Sequence, residues 1–251
     1  MDRRGRTLYP AAAPAWMVGD RPVRLLDLGS GTGAFAQLLV EAGHEVFTID
    51  RDPKAVAATE ERLGTRLHVV GQVEALPYLA CNFDVVTASQ SLHRFAPGLA
   101  LSEIARVLRP GGHLAVAYNT RDDTVPWVKR LIALMQQADP DSVTGDYGVE
   151  AVDALIDSPF FGEVEQKSFR NWVPITRAGL IAMVERRPST RTLDPDRRMN
   201  LLLEVGALYD SSARAPEPLL LPYRATCWRA EADHSQLAAV DDDLGALEIR
   251  L

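Results

Sequence analysis

Residues 25–33 read Leu25-Leu26-Asp27-Leu28-Gly29-Ser30-Gly31-Thr32-Gly33, and this motif determines the kind of sheet that the chain builds. The apolar run Val23–Leu28 is typical of a buried β-strand, and Ala34–Ala42 has the apolar spacing of a helix. The three glycines let the backbone turn sharply and let a ligand approach the main chain where a Cβ atom would collide. The motif therefore predicts a strand, a ligand-binding loop and a helix, in that order.

Strands and helices alternate after this motif. Short apolar runs predict four further strands, Glu45–Asp50, Arg66–Val70, Phe83–Ala88 and His113–Tyr118. Helical spacing is present in Pro53–Leu63 and Ala100–Leu108, and Arg109–Gly112 is predicted to be the turn before the fifth strand. Such alternation is typical of a doubly wound α/β fold, in which helices cover both faces of a mainly parallel sheet.

The second half of the chain is more helical. Its predicted helices are Val125–Gln137, Val149–Asp157, Thr176–Glu185 and Asp194–Tyr209, and its predicted strands are Phe161–Trp172 and Leu219–Arg229. Thr176 and Asp194 are expected to be N-caps, because their side-chain oxygens can accept from the first backbone N–H groups of a helix. The pattern predicts a pair of helices inserted between two strands.

Composition limits the class of protein. The chain has 251 residues, of which 47% are hydrophobic and 24% are charged, enough for one α/β domain or a core domain with an insertion. Its apolar runs are much shorter than the ~18 residues of a membrane span, and the N-terminus lacks a signal-peptide pattern. We therefore expect a cytoplasmic protein with no membrane partner.

The net charge and the cysteine content argue against further classes of partner and site. The formal net charge is −7, and the Lys and Arg residues do not cluster densely, which argues against a nucleic-acid partner. Cys81 and Cys227 lie far apart and have no further ligand at metal-binding spacing. We expect neither a disulfide framework nor a metal site, and a small molecule is the expected substrate.

Asp27 discriminates between two kinds of cofactor. Gly29, Gly31 and Ala34 also satisfy the dinucleotide pattern G-x-G-x-x-A, and Asp50 follows at the distance of a ribose-binding carboxylate. The Asp27 carboxylate at the end of the first strand would, however, repel a pyrophosphate. A cofactor with a positive group and no phosphate fits better, and an NAD(P)-dependent oxidoreductase is kept as a remote alternative.

The arrangement resembles the class I S-adenosylmethionine-dependent methyltransferases. The motif Leu108-Arg109-Pro110-Gly111-Gly112 is similar to that family's turn before strand five. The resemblance covers residues 5–230, is specific over 23–118, and extends to methyltransferase type 11 domains and the trans-aconitate-methyltransferase-like branch. It implies a Rossmann-like fold with a seven-stranded mixed sheet, helices on both faces, a reversed terminal hairpin and a partial helical cover.

The resemblance also implies a domain organisation. Residues 1–22 would be an N-terminal partial lid, and 23–119 the S-adenosylmethionine-binding core. Residues 120–230 would complete the sheet and cover the acceptor. Residues 231–251 are expected to be an acidic, solvated tail that contains Asp241–Asp243.

The cofactor site follows from the same resemblance. It places Asp27 near the methionine portion, Asp50 on the ribose hydroxyls, and Gln72 and Val73 at the adenine, although the family often has an acidic residue in place of Gln72. The full set implied is Asp27, Gly29, Ser30, Gly31, Gly33, Asp50, Arg51, Gln72, Val73 and Ser89. Glu74 is either a family-type acidic residue or a loop cap.

Acceptor residues are implied less directly. His93 follows strand four and is a candidate general base, because a neutral imidazole can take a proton from a hydroxyl or an amine; a structural or cofactor-lining role stays open. Candidate lid residues are Tyr9, Trp172, Arg177, Arg187 and Arg191. The arginines would bind a carboxylate or lie on solvated helix faces.

The implied reaction is an in-line displacement. It moves a methyl group from S-adenosylmethionine to an oxygen or nitrogen of a small molecule, a carboxylate among the candidates, and leaves S-adenosylhomocysteine. The chain lacks the Asn-Pro-Pro-Tyr signature of many base-modifying enzymes. A non-catalytic module that binds the same cofactor is the main alternative, and the oligomeric state is left open between monomer and homodimer.

Overall fold

The computed structural model describes residues 9–138, 148–214 and 218–237. Its strands are β1 (Arg24–Leu28), β2 (Glu45–Asp50), β3 (His68–Val70), β4 (Phe83–Ser89), β5 (Leu108–Arg121), β6 (Glu165–Ile175) and β7 (Leu219–Glu231). They form one seven-stranded mixed sheet in the order β3-β2-β1-β4-β5-β7-β6. The first five strands in this order pair in parallel. The predicted Rossmann-like sheet is confirmed.

Helices connect these strands. In the described residues they are α1 (Ala12–Val18), α2 (Ala34–Glu41), α3 (Pro53–Leu63), α4 (Pro97–Val107), α5 (Pro126–Ala138), α6 (Val149–Ile156), α7 (Arg177–Glu185), α8 (Pro188–Thr192) and α9 (Pro195–Ser212). Thr176 accepts from the Gly179 N–H at 3.1 Å, and Asp194 accepts from the Arg197 N–H at 2.9 Å. Both predicted N-caps are confirmed. Within the described residues, no helix is long and apolar enough to cross a bilayer.

The chain divides into two compact units. The larger contains the described residues 11–118, 148–167 and 226–237. In its core, Leu26 and Leu28 of β1 and Val86 of β4 belong to one buried cluster with Leu101 and Ile104 of α4. These side chains hold β1 and β4 in place, and the loop that follows β1 carries four of the predicted cofactor residues, Gly29, Ser30, Gly31 and Gly33.

The smaller unit contains the described residues 9–10, 119–138, 168–214 and 218–225. Its core is a separate cluster, to which α5, α7 and α9 each contribute one apolar face. Its fully buried members are Val128, Leu131, Leu180, Val184, Val205 and Leu221.

The predicted turn at Arg109–Gly112 is wrong in one respect, because β5 already begins at Leu108. Leu108 pairs with Phe83, and His113 pairs with Val85, so β5 advances five residues where β4 advances two. The extra residues form a bulge in which Gly111 has a φ of +77°. A Cβ atom on Gly112 would lie 2.9 Å from the carbonyl oxygens of both Asp84 and Arg109, so the bulge needs glycine there.

Helix α1, which contains Pro14 and ends before Gly19, was not predicted. Pro14 lies in the first turn, where backbone N–H groups have no intrahelical partner, so its missing donor costs little. Ala13 and Met17 are fully buried, and the guanidinium of Arg229 stacks over the Trp16 ring at 4.7 Å. Tertiary packing therefore stabilises this short helix.

Strand β6 lies further along the chain than predicted. Phe161 and Gly162 instead follow a turn: Phe161 forms an isolated antiparallel bridge with Ala232, and the Gly162 N–H donates to the Glu231 carbonyl at 2.9 Å. The regular strand starts only at Glu165. Residues 1–8 of the predicted lid and Asp241–Asp243 of the predicted tail lie outside the described residues.

Candidate functional site

The loop after β1 has the backbone shape that its glycines predict. Gly29, Gly31 and Gly33 all have φ values between +58° and +71°. A Cβ atom on Gly29 would lie 2.9 Å from the Ser91 Cβ, and one on Gly33 would lie 2.9 Å from the Thr59 Cγ2. Larger side chains are therefore disfavoured at both positions by conformation and by space.

Two hydroxyl groups that the sequence analysis missed hold this loop. Ser91 donates to the Leu28 carbonyl at 2.7 Å, and the Thr59 hydroxyl lies 3.1 Å from the carbonyls of Gly31 and Ala55. Both residues are fully buried. The only sequence signal for Thr59 is a polar residue three positions after Val56 on the buried face of α3.

Asp50, at the end of β2, organises the same loop. One of its carboxylate oxygens accepts from the Gly31 N–H at 3.0 Å, and the other accepts from the Asp52 N–H at 3.0 Å. Each oxygen retains further acceptor capacity. Asp50 therefore fixes the loop and still presents a carboxylate to a ligand.

Asp27 is the most unusual group of the site. It is 1% exposed; its Oδ1 accepts from the Thr87 hydroxyl at 2.8 Å, and its Oδ2 is buried with no hydrogen-bond partner in the described residues. Burial, opposed by the Thr87 bond and assisted by the Asp50 charge, raises the pKa of Asp27 to about 7. The Ser30 hydroxyl oxygen is also buried without a partner there. The loop thus contains polar atoms that suit a ligand with hydrogen-bond donors.

The segment after β3 is bonded to the start of α4 through the carboxylate of Glu74. Gln72 is exposed, and Val73 is buried at the start of a 3-10 helix, Val73–Ala75. Glu74 accepts from the Ala96 N–H at 2.8 Å, just before α4, so the loop-cap interpretation describes its contact. Arg51 is exposed, and Ser89 pairs with Ala117 in the sheet.

Tyr118 contacts His93. The His93 N–H donates to the Tyr118 hydroxyl at 3.1 Å, and the His93 Nδ1 lies 3.2 Å from the same oxygen. Tyr118 is 4% exposed, its ring meets Trp228 edge-on at 6.1 Å, and a Cβ atom on Gly148 would overlap it. The phenol is therefore held rigidly against His93.

The comparisons with known proteins agree with this geometry. The family profile described as a methyltransferase domain matches residues 26–116. An uncharacterized methyltransferase of Mycobacterium tuberculosis strain H37Rv is 33% identical in an alignment 238 positions long that covers 90% of each chain. The chain belongs to the methyltransferase family.

Two further relatives of this methyltransferase cover different extents. A demethylmenaquinone methyltransferase of Beutenbergia cavernae is 39% identical over 112 residues, 44% of this chain and 45% of that protein. A solved structure from Anaeromyxobacter dehalogenans, named as a type II methyltransferase, has a TM-score of 0.64 at 21% identity and covers 90% of this chain and 96% of that one. This second likeness supports the fold. The trans-aconitate-methyltransferase-like branch stays a prediction.

The candidate lid residues of the methyltransferase lie in the smaller unit. Arg177 is bound by a protein carboxylate, since its Nε lies 2.9 and 3.0 Å from the two oxygens of Asp210. Arg187 contacts the Met135 sulfur at 3.5 Å, and Trp172 is 48% exposed on β6. Arg191 is exposed and Tyr9 is half-buried. Their acceptor roles stay predictions, as do the domain boundaries.

The expectation that the protein has no metal site stays a prediction. The described residues contain no group of three or more His, Cys, Asp or Glu side chains that is arranged to hold a metal ion. His44 and His68 are both buried, and burial lowers the pKa of each imidazole. His68 bonds to Thr48 and Thr65 at 3.0 and 2.9 Å, which is a structural environment.

Replacing Tyr118 with Phe should change the protonation of His93. The phenol oxygen accepts from the His93 backbone N–H, and we expect its own hydrogen to point to Nδ1, which would leave the proton of the neutral ring on Nε2. In Tyr118→Phe, we expect a larger Nδ1–H population and a higher His93 pKa than in the wild type, because a donor to the neutral ring is lost. Long-range proton–nitrogen NMR of the ring, recorded against pH, measures both.

The matched control changes the packing around the Tyr118 ring but keeps the Tyr118 hydroxyl. Trp228→Phe changes the ring that meets Tyr118 edge-on and should leave the His93 tautomer unchanged. A wild-type ring protonated on Nδ1 would contradict the arrangement. With the proton on Nε2, His93 acts as a hydrogen-bond donor at that nitrogen, and its general-base role requires the other tautomer.

Proposed function

We propose that this protein is an S-adenosylmethionine-dependent methyltransferase that methylates an oxygen or nitrogen of a small molecule. One observation carries the proposal: the Asp27 Oδ2, fully buried beside the glycine loop, has no partner in the described residues. An ammonium group is the chemical partner that such a carboxylate needs, because an unpaired buried charge is costly. The methionine portion of S-adenosylmethionine carries that group.

Other residues of the loop fit the same cofactor. Each Asp50 carboxylate oxygen accepts one backbone N–H and retains acceptor capacity for a ribose hydroxyl. A dinucleotide fits less well, because its pyrophosphate would meet Asp27. The Beutenbergia relative is named for demethylmenaquinone, a small molecule, which supports a small acceptor here.

The chemistry divides between cofactor and protein. When bound, S-adenosylmethionine supplies an electrophilic methyl group on a positively charged sulfur. The protein's residues supply alignment: Asp27 holds the methionine portion, Asp50 holds the ribose, and His93 meets the acceptor. Alignment of a well-oriented pair contributes as much as about 7–11 kcal/mol, so little acid or base catalysis is needed for an ionised acceptor.

Calorimetric titration with S-adenosylhomocysteine tests the proposal, with NADH as the control ligand. We expect a dissociation constant on the order of micromolar for S-adenosylhomocysteine and no heat from NADH. Subsequent incubation with S-adenosylmethionine and panels of carboxylates, phenols and amines should yield a methylated product. Binding of NADH alone, or of neither ligand, would overturn the proposal. Binding without turnover on any acceptor would favour a non-catalytic module.

Asp50→Asn should weaken S-adenosylhomocysteine binding about tenfold. The amide has one acceptor oxygen, so it cannot serve the Gly31 N–H, the Asp52 N–H and a ribose hydroxyl as the carboxylate does. The same titration measures the change, and Asp52→Asn, which alters the exposed cap of α3, serves as the control. Equal affinity for Asp50→Asn and wild type would remove Asp50 from the site.

A further inference from the structure

Arg121, the last residue of β5, has an unusual environment in the smaller unit. Within the described residues, its Nε is buried without a hydrogen-bond partner, and its Nη2 donates to the Met183 sulfur at 3.9 Å. By contrast, Arg177 is paired with Asp210, and Arg224 is paired with Asp122. Arg121 thus carries a partly desolvated positive charge that no carboxylate of the described chain neutralises.

A second donor converges on the same point. The Tyr223 hydroxyl of β7 also lies 3.9 Å from the Met183 sulfur, and Tyr223 is 8% exposed. A thioether is a weak acceptor. The two donors therefore share an acceptor that gives each of them only a weak hydrogen bond. Buried donors without good acceptors are costly, and such a group in a native structure is often completed by a ligand.

We propose that Arg121 and Tyr223 form an anion-binding site for the carboxylate group of a small molecule. A guanidinium and one hydroxyl supply directional donors that match the two oxygens of a carboxylate. The charge also matches, since one cation neutralises one carboxylate, whereas a phosphate dianion would retain excess charge. The site does not depend on the proposed function.

Acetate is the probe for this site. Its binding is followed at the Arg121 Nε–Hε resonance by NMR, with sodium chloride at equal ionic strength as the reference and exposed Arg198 of α9 as the internal control. We expect a saturable shift at Arg121 and none at Arg198. Arg121→Met should lower acetate affinity about tenfold or more, and Tyr223→Phe should lower it about threefold. Equal, unsaturable responses at Arg121 and Arg198 would overturn the proposal, and stronger saturation by inorganic phosphate would overturn its assignment to a carboxylate.

The melting temperature of an Arg121 variant distinguishes a binding role of Arg121 from a structural one. Without ligand, Arg121→Met should melt at or above the wild-type temperature, because an uncompensated charge is replaced by an apolar chain of similar length. A large loss of melting temperature would show that Arg121 is structural and would contradict the site. S-adenosylhomocysteine titration should be unchanged in this variant; failure of that ligand to bind wild-type protein would overturn the proposed function alone.

Discussion

S-adenosylhomocysteine is expected to bind about tenfold more tightly for each unit by which the pH rises from about 5 towards about 7, and to level off above. Burial raises the pKa of Asp27 to about 7, so the carboxylate that must face the ammonium group is protonated in acid solution. Binding the ammonium favours the ionised form and therefore releases a proton below that pH. Calorimetry in two buffers of different ionisation enthalpy measures this proton directly.

The free energy of unfolding of the ligand-free protein should fall as the pH rises, whereas the affinity for S-adenosylhomocysteine should increase. The unfolded chain loses the Asp27 proton near the ordinary carboxyl pKa, whereas the folded protein retains it up to about pH 7. The contribution of Asp27 therefore lowers the free energy of unfolding as the pH rises through that interval, by roughly 4 kcal/mol in total. When the ligand's ammonium group pairs with the ionised Asp27 carboxylate, it should restore the free energy of unfolding that the unpaired charge removes.

Asp27→Asn tests both effects in one variant. The amide oxygen still accepts from Thr87, but the charge is lost, so the ligand-free variant should be more stable than wild type at pH 8. Its affinity for S-adenosylhomocysteine should fall about a hundredfold and become independent of pH. Affinity that keeps the wild-type pH profile would assign the titration to another group.

Gly33→Ala is expected to lower the free energy of unfolding by roughly 3 kcal/mol and to abolish measurable cofactor binding. Its φ is +71°, and the new methyl group would press on Thr59, whose hydroxyl lies against the Gly31 carbonyl. Backbone strain and collision therefore act together on the loop. Urea unfolding and calorimetry measure the two losses.

The chain offers a matched control for the strain. Gly64, at the end of α3, has a similar φ of +67° but open space around a Cβ atom. Gly64→Ala should therefore cost only about 1 kcal/mol and leave binding intact. Adding Thr59→Ser to Gly33→Ala should recover part of the stability, because serine lacks the colliding methyl group but keeps the hydroxyl that bonds the Gly31 carbonyl; no recovery would mean that strain alone is responsible.

Local patterns made much of the fold predictable. The strand, glycine loop and helix around Gly29, and the caps at Thr176 and Asp194, depend on residues within a few positions of one another. Sequence periodicity and capping chemistry describe such neighbourhoods directly. The roles of the predicted cofactor residues remain predictions for the titrations above.

Contacts between distant residues were not predictable. Thr87 and Asp27 are 60 residues apart, Tyr118 and His93 are 25 apart, and Arg121 meets Met183 across 62. One sequence contains no signal for such pairings, because they depend on strand order and register. The β5 bulge has the same origin: Gly111 and Gly112 suggested a turn, and only the pairing with β4 shows that the strand continues through them.

The strand order β5-β7-β6 also has a consequence for synthesis on the ribosome. β6 leaves the ribosome before β7, yet β7 separates it from β5, and residues 176–218 must be translated between them. Until β7 emerges, the nascent sheet exposes an unpaired β5 edge, and β6 has no partner strand. Open edges of this kind pair with other chains, so the interval before β7 is when a chaperone would protect this protein most.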